Sequence, residues 1–289
     1  MTLAVRVPGS SANMGPGFDV LAMAVSIYGE LGIANPSAHS HEHLATTNHP
    51  ANVAFVRAGG TGEVWVDSPI PSGRGLGFSA AMRVGGAALG LAQRQGIGET
   101  EFAQFIDASR GELVELAAEL EGHYDNAAAS VWGGVVSASP ERVALIPLAA
   151  TMRSEVCVLV WIPQFQTATS KSRRNLPDAV RRQDAIFNIA RATQLVIALS
   201  TGDFDLLPSA ASDQLHQKVR LSDTPMCAEV MTALVNAGAL SSWLSGSGPT
   251  VAAFIRRTDA AEVTRLIGRD FPLGRTQILD IDMCGIHAI

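Results

Sequence analysis

Apolar and polar residues alternate over residues 3–7 (LAVRV) as they do on a half-buried strand. The run passes into PGSSANMGPGFD, whose glycine, proline and serine content predicts a loop. VLAMAVSIY (20–28) then resumes as a strand, and residues 35–51 (NPSAHSHEHLATTNHPA) are polar turn formers that read as a surface excursion. EVWVDSPI (63–70) is strand-like. Behind it, PSGRGLGFSAAMRVGGAALGLAQRQG (71–96) is a glycine-rich turn that opens directly into an alanine-rich, helix-compatible stretch. Residues 101–121 predict a helix with an apolar face at Leu113, Leu116, Ala117 and Leu120. GHYDN breaks that helix, and AAASVWGGVVSA continues in small residues.

A second block starts near residue 150. SEVCVLVWIP (154–163) is a nearly continuous apolar strand, and QTATSKSRRNLP leads from it into helical segments over about 178–238. ALSSWLSGSGPTVAAFIRR reads as strand, tight turn, strand; TDAAEVTRLIGRDF as an amphipathic helix; TQILDIDM as a closing strand. Strands and helices mixed in both halves predict an α+β chain, with domains over 1–150 and 151–289.

Composition narrows the class. Hydrophobic residues make up 47% and charged ones 17%, enough apolar material for a packed core and too much for a disordered chain. A net charge of −6 removes the electrostatic case for nucleic acid or an anionic membrane as partner. No apolar run approaches the ~18 residues that span a bilayer, and the N-terminus lacks a signal-peptide pattern. The 3 cysteines are an odd number, far apart, which argues for a reducing compartment and a cytoplasmic protein. Lys171 and Lys218 are the only lysines, and neither follows a glycine. The lysine-bearing phosphate loop GxxxxGK[ST] is therefore excluded, and the kinase signature V-A-I-K is absent.

Three segments carry candidate chemistry. In PSGRGLGFSAA (71–81), Gly73, Gly75 and Gly77 let the backbone approach an anion and point N–H groups at it, and the helix dipole adds to the attraction. Ser79 can donate to a phosphate or ligate Mg²⁺. The alternative is a β–α turn that needs its glycines only for packing. In LSGSGPTVAAF (244–254), Gly246, Ser247 and Gly248 could close on a nucleotide or on the first loop. Alone, the segment reads rather as an ordinary hairpin turn, and it is the presence of two such loops in one lysine-poor chain that points toward a phosphate site. In ELEGHYDNAAASVWGG (119–134), Glu119, Glu121, His123 and Asp125 converge around a helix break, as Mg²⁺ ligation or orientation of a hydroxyl would require. Asp125 and Asn126 as caps of the next helix are the plainer alternative.

VPGSSANMGPGFD, PSGRGLGFSAA and LSGSGPT together resemble the three motifs of the GHMP small-molecule kinases, in order and across essentially the whole chain. SSANMGPGFDVLAMAVSIY, EGHYDN, SRRNLP behind Thr167 and the arginine of DQLHQKVR are most similar to the homoserine kinases of that family. The resemblance implies a two-lobed α+β fold, with an N-terminal ribosomal-S5-domain-2-like and a C-terminal ferredoxin-like domain. It implies ATP and Mg²⁺ as cofactors, L-homoserine as the small-molecule substrate, and a homodimer. ATP would lie against Pro71, Ser72, Gly73, Arg74, Gly75, Leu76, Gly77, Phe78, Ser79, Ala80 and Ala81, and against Gly246, Ser247 and Gly248. Ser79 and Glu119 would hold Mg²⁺, with Glu121 as competitor. Asn13, Asp19, His123, Asp125, Arg173 and Arg220 match substrate-binding positions; Asp125 and Asn126 match the catalytic segment. An amino acid needs carboxylates for its ammonium and arginines for its carboxylate, and this set supplies both.

Two departures stand out. The family loop usually reads GLGSSAA, and Phe78 replaces its first serine. The chain also runs from NVAFVRAGG almost directly into EVWVDSPIP, which predicts that a family helix bordering the nucleotide is trimmed. These departures leave two other readings in play: a kinase of another small hydroxy or amino acid, and a non-catalytic ligand-binding homologue. HSHEH (39–43) imitates a metal site but lies in a polar excursion and reads as solvated surface. Trp65, Trp132, Trp161 and Trp243 read as core or interface.

Overall fold

The computed structural model describes residues 3–34, 44–166 and 175–289; no helix among them is long and apolar enough to cross a membrane. β1 (Ala4–Asn13) and β2 (Gly17–Ile33) form a long antiparallel hairpin. This corrects the loop expected over PGSSANMGPGFD: residues 8–13 remain in the strand, and only residues 14–16 turn. Ser10 and Ser11 are wholly buried, and their hydroxyls bond Asn126, Trp243 and Ser245 on other elements. Tertiary partners thus hold extended a segment whose composition favours turns.

α1 (Pro50–Arg57) corrects the expectation of a trimmed helix. Proline sits in its first turn, and the Ala51 amide donates to His49 Nδ1 at 3.2 Å, which caps it. After β3 (Val64–Asp67) comes α2 (Phe78–Gln95), against which α1 packs closely. A Cβ at Gly86 would stand 2.0 Å from the Ala51 carbonyl oxygen, and one at Gly90 2.4 Å from that of Phe55. α3 (Glu99–Glu121), α4 (Asp125–Trp132), β4 (Val135–Ala138) and β5 (Val143–Ile146) complete this part. α2 and α4 lie on β1 and β2, with α3 packed outside them.

The second lobe runs through α5 (Ala150–Glu155), β6 (Val156–Pro163), α6 (Arg182–Thr201), α7 (Leu207–Ala210), α8 (Gln217–Ser222) and α9 (Pro225–Asn236). It closes with β7 (Ser241–Leu244), β8 (Val251–Arg256), α10 (Ala260–Asp270) and β9 (Gly274–Leu279). Its antiparallel sheet has the order β7-β8-β6-β9, the ferredoxin-like arrangement of a β-α-β-β-α-β chain. All of β6 is buried. Leu159 and Trp161 face a core with Val230 and Val263 from α9 and α10, whereas Val158 and Val160 join the core shared with the first lobe. Burial on both faces is why this strand reads as a continuous apolar run. The chain then returns: β10 (His287–Ala288) pairs with β1, giving the first sheet the order β10-β1-β2-β4-β5, with β3 on β2.

Gly86→Ala should lower the melting temperature. Alanine is the better helix former by about 1 kcal/mol, but overpacking against the Ala51 carbonyl costs about 1–3 kcal/mol. Gly111→Ala in α3, where an added Cβ meets nothing within 4 Å, should raise it. Thermal unfolding of the two variants checks both signs.

Candidate active site

The glycine-rich loop between β3 and α2 takes backbone conformations that glycine alone adopts easily. Gly73, Gly75 and Gly77 have φ of +66°, +75° and +69°. α2 begins behind Gly77 with no side-chain cap among the described residues, so the amides of its first turn face the cleft, where Phe78, Ser79 and Ala80 form part of the wall. This is an anion cradle made of backbone.

The second small-residue loop locks the first from behind. The Ser245 hydroxyl donates to the Gly75 carbonyl at 2.6 Å and lies 2.8 Å from the Ser11 hydroxyl. The Gly246 amide donates to the Ala12 carbonyl at 3.0 Å. Arg74 ties the lobes together through the carbonyls of Pro163 (3.0 Å) and Gln164 (2.8 Å).

The two loops line a cleft of about 610 Å³ together with the substrate candidates Asn13, Asp19, His123, Asp125 and Arg220 and with Asn126. Asn13 and Asp19 have positive φ, +68° and +58°, uncommon for side-chain-bearing residues and frequent at functional sites. Asn13 secures the turn by donating to the Gly246 carbonyl (2.8 Å) and accepting from the Asp19 amide (3.0 Å). Asp125, buried at the start of α4, accepts through Oδ1 from its own neighbour's amide, Asn126, at 2.7 Å, and that oxygen lies 2.7 Å from His123 Nδ1. Asn126 is held in turn by the Ser10 hydroxyl at 2.9 Å.

Ser79 Oγ donates to Glu121 Oε1 at 2.5 Å, and Arg83 reaches the same oxygen. Glu121 Oε2 lies 3.7 Å from His123 Nε2. Glu119 is elsewhere: it is exposed and paired with Arg57 of α1 at 2.8 Å. Residues two apart on a helix are separated by about 200° around the axis, so one glutamate alone can face Ser79. The geometry therefore sets Glu121, and not the expected Glu119, beside Ser79. A hydroxyl and one carboxylate suit Mg²⁺, which takes few protein ligands and fills its sphere with phosphate oxygens and water.

Of the residues expected around ATP, Leu76, Ala81 and Gly248 do not line the cleft. Leu76 and Ala81 are fully buried in the core, and Gly248 packs on Leu244. Arg173, Thr167 and the HSHEH histidines lie outside the described residues. Thr46, Asn48, His49 and Pro50 line the cleft without having been anticipated. They belong to the polar stretch read as a surface excursion, and only the Pro50 at a helix start signalled otherwise. Phe78 meets the His49 ring edge-on, with centroids 5.7 Å apart.

A buried network behind the cleft was equally unanticipated. Asp213 accepts from the amides of Leu215, His216 and Gln217 and from Asn188 Nδ2. Asn188 also donates to the Pro16 carbonyl. His216, wholly buried, stacks on Phe18. Burial pulls its imidazole below the usual value; the Arg220 charge acts in the same direction, while Asp213, the Gly15 carbonyl and Asp19 oppose it.

The GHMP kinases N terminal domain model matches residues 48–134 of the chain, and the GHMP kinases C terminal model matches residues 195–272. The chain belongs to the GHMP kinases. Its relatives include the homoserine kinase of Moorella thermoacetica, 38% identical over 269 residues and covering 87% of each chain. That of Thermus thermophilus is 36% identical over 290 residues, covering 95% of this chain and 94% of the other. The crystal structure of homoserine kinase from Cytophaga hutchinsonii shares the fold, with a TM-score of 0.81 at 22% identity over 100% of this chain and 97% of that one.

A histidine held neutral in the fold takes up its proton on unfolding. Its contribution is fully present above the ordinary imidazole value of about 6.5 and is lost as pH falls below it. The melting temperature should therefore drop as pH falls from 7.5 to 5.5, and drop less steeply in His216→Asn. His49, also pulled down by burial, keeps part of the slope in the variant.

Proposed function

We propose that this chain is an ATP-dependent kinase that phosphorylates the side-chain hydroxyl of L-homoserine. The observation that carries the reading is that a backbone anion cradle and an amino-acid-binding set open into one cleft. The relatives named homoserine kinase support it.

In this reading the nucleotide phosphates lie on the amides of residues 73–79, with Ser79 and Glu121 as the ligands for Mg²⁺. When bound, the metal would supply charge neutralisation at the transferring phosphoryl group. Asp19 and Asn13 receive the substrate ammonium, and Arg220 receives its carboxylate, with Arg173 as the second arginine of the resemblance. Asp125 has Oδ1 engaged by His123 and Asn126, and Oδ2 is the atom that orients the hydroxyl. The hydroxyl oxygen attacks the γ-phosphorus as the bond to the β,γ-bridging oxygen breaks, ADP leaves, and the hydroxyl proton passes to an oxygen of the transferred phosphoryl group and from there to water. Phosphoryl transfer of this kind depends on positioning and charge stabilisation more than on a strong base. Phe78 keeps the backbone N–H that the cradle uses and forfeits only a hydroxyl.

Coupled ADP release with homoserine, threonine, mevalonate and shikimate tests the substrate. Homoserine should dominate; turnover of another alcohol with none of homoserine would overturn the substrate while sparing the kinase. Glu121→Gln should lower kcat by roughly 100-fold or more, and Glu119→Gln should leave it within about twofold, as a surface ion pair is worth little. The reverse ranking would restore Glu119 as the metal ligand. Phe78→Ser should change kcat by about tenfold at most, the worth of one neutral hydrogen bond.

A further inference from the structure

We propose that His216 is a positioning residue that fixes the substrate-carboxylate arginine and couples it to the ammonium-binding turn. The inference rests on the reading of Arg220 and Asp19 given above. Arg220 is buried on α8 and lines the cleft, and its Nη1 lies 2.9 Å from His216 Nδ1 and donates to the Gly246 carbonyl at 3.0 Å. A guanidinium only donates, so Nδ1 is the acceptor and carries no proton. The ring's proton is then on Nε2, which lies 2.8 Å from the Gly15 carbonyl. That carbonyl belongs to the turn that joins Asn13 to Asp19.

One imidazole therefore spans two subsites. Its Nε2 side holds the turn that presents Asn13 and Asp19, and its Nδ1 side holds the arginine. Both bonds need the same tautomer, and a protonated ring would set a donor against the guanidinium. Asp213 is 3.8 Å from Nε2 and is already held by the three amides of its own loop. Phe18 packs against both the His216 ring and the Arg220 guanidinium, each at 5.2 Å. The turn has little freedom to compensate, because a Cβ at Gly15 would lie 2.1 Å from the Ala211 carbonyl oxygen. His216 thus sets the spacing between the groups for the ammonium and the carboxylate of one α-amino acid, and touches neither.

Two isosteric substitutions separate its two bonds. The Asn side-chain oxygen falls near Nδ1 and the Gln side-chain nitrogen near Nε2. His216→Asn keeps an acceptor for Arg220, and His216→Gln keeps a donor for Gly15. His216→Gln should raise the KM for homoserine roughly 10- to 100-fold, the worth of a hydrogen bond to a charged group, with the KM for ATP within about twofold. His216→Asn should recover most of that loss. Selectivity for homoserine over 3-aminopropan-1-ol, which lacks the carboxylate, should fall in His216→Gln. A folded His216→Gln protein with unchanged homoserine KM would overturn the proposal, as would equal losses in both KM values and in both variants. The imidazole ¹⁵N spectrum of the substrate-free protein at pH 7 keeps the test independent of the substrate. A neutral Nε2–H ring is expected, and an Nδ1–H or doubly protonated ring would refute the assignment. If wild-type protein fails to turn over homoserine while the spectrum holds, the substrate reading fails and the His216 geometry stands.

Discussion

Two lengths of backbone meet with nothing between them, and the site exists because they do. A Cβ at Gly75 would stand 2.2 Å from the Ser245 carbonyl oxygen, and one at Gly77 2.1 Å from the Ser10 hydroxyl. One loop comes from the first lobe and the other from the second, so their contact sets how the lobes face each other. Ser245 bonds both Gly75 and Ser11, and Gly246 bonds Ala12 and accepts from Asn13 and Arg220. The glycine-rich turn before α2, the Asn13–Asp19 turn and Arg220 are thereby held in one frame.

The near absence of lysine acquires a physical meaning in that frame. A lysine would bring charge to the phosphates on a flexible stem; here the first-turn amides of α2 bring fixed dipoles that need no ordering. The same economy of side-chain freedom marks the turn from Asn13 to Asp19. Asn13, Met14 and Asp19 hold left-handed backbone that costs about 1–3 kcal/mol per residue, and their surroundings over-determine it through Gly246, Asn188 and the His216 ring. Both turns are preorganised at the expense of backbone strain and tight loops.

Much of the architecture is legible in the sequence, because apolar periodicity reports burial directly. α2, α3, β6 and the β7–β8 hairpin follow the predicted segments closely. What periodicity hides is structure made by partners distant in the chain. PGSSAN composes a turn, yet Ser10 and Ser11 find acceptors and donors on α4, β7 and the second loop, and the strand continues. α1 spans eight residues, too short for a repeating face to show, and its buried Ala51, Ala54 and Phe55 pack where glycines on α2 leave room. At the site, residue types and order pointed to most of the residues that the cleft brings together, but helical phase decided which glutamate faces Ser79. His216 sat in plain view beside Arg220 in LHQKVR; one turn of helix between them was the signal that it could reach the guanidinium.

The return of β10 to β1 has a consequence for how the chain comes together. A strand of the first sheet is synthesised only after the whole second lobe, so the two lobes are not successive beads on a string. The first sheet reaches its full width through pairing across nearly the entire chain, a contact of very high sequence separation that slows folding and joins distant regions into one cooperative event. During translation the nascent first sheet has an open edge at β1 until the last strand arrives, and such an edge is a template for unwanted pairing. The arrangement that unites the lobes in the finished molecule thus stretches the vulnerable interval of its biogenesis across the synthesis of the entire second lobe.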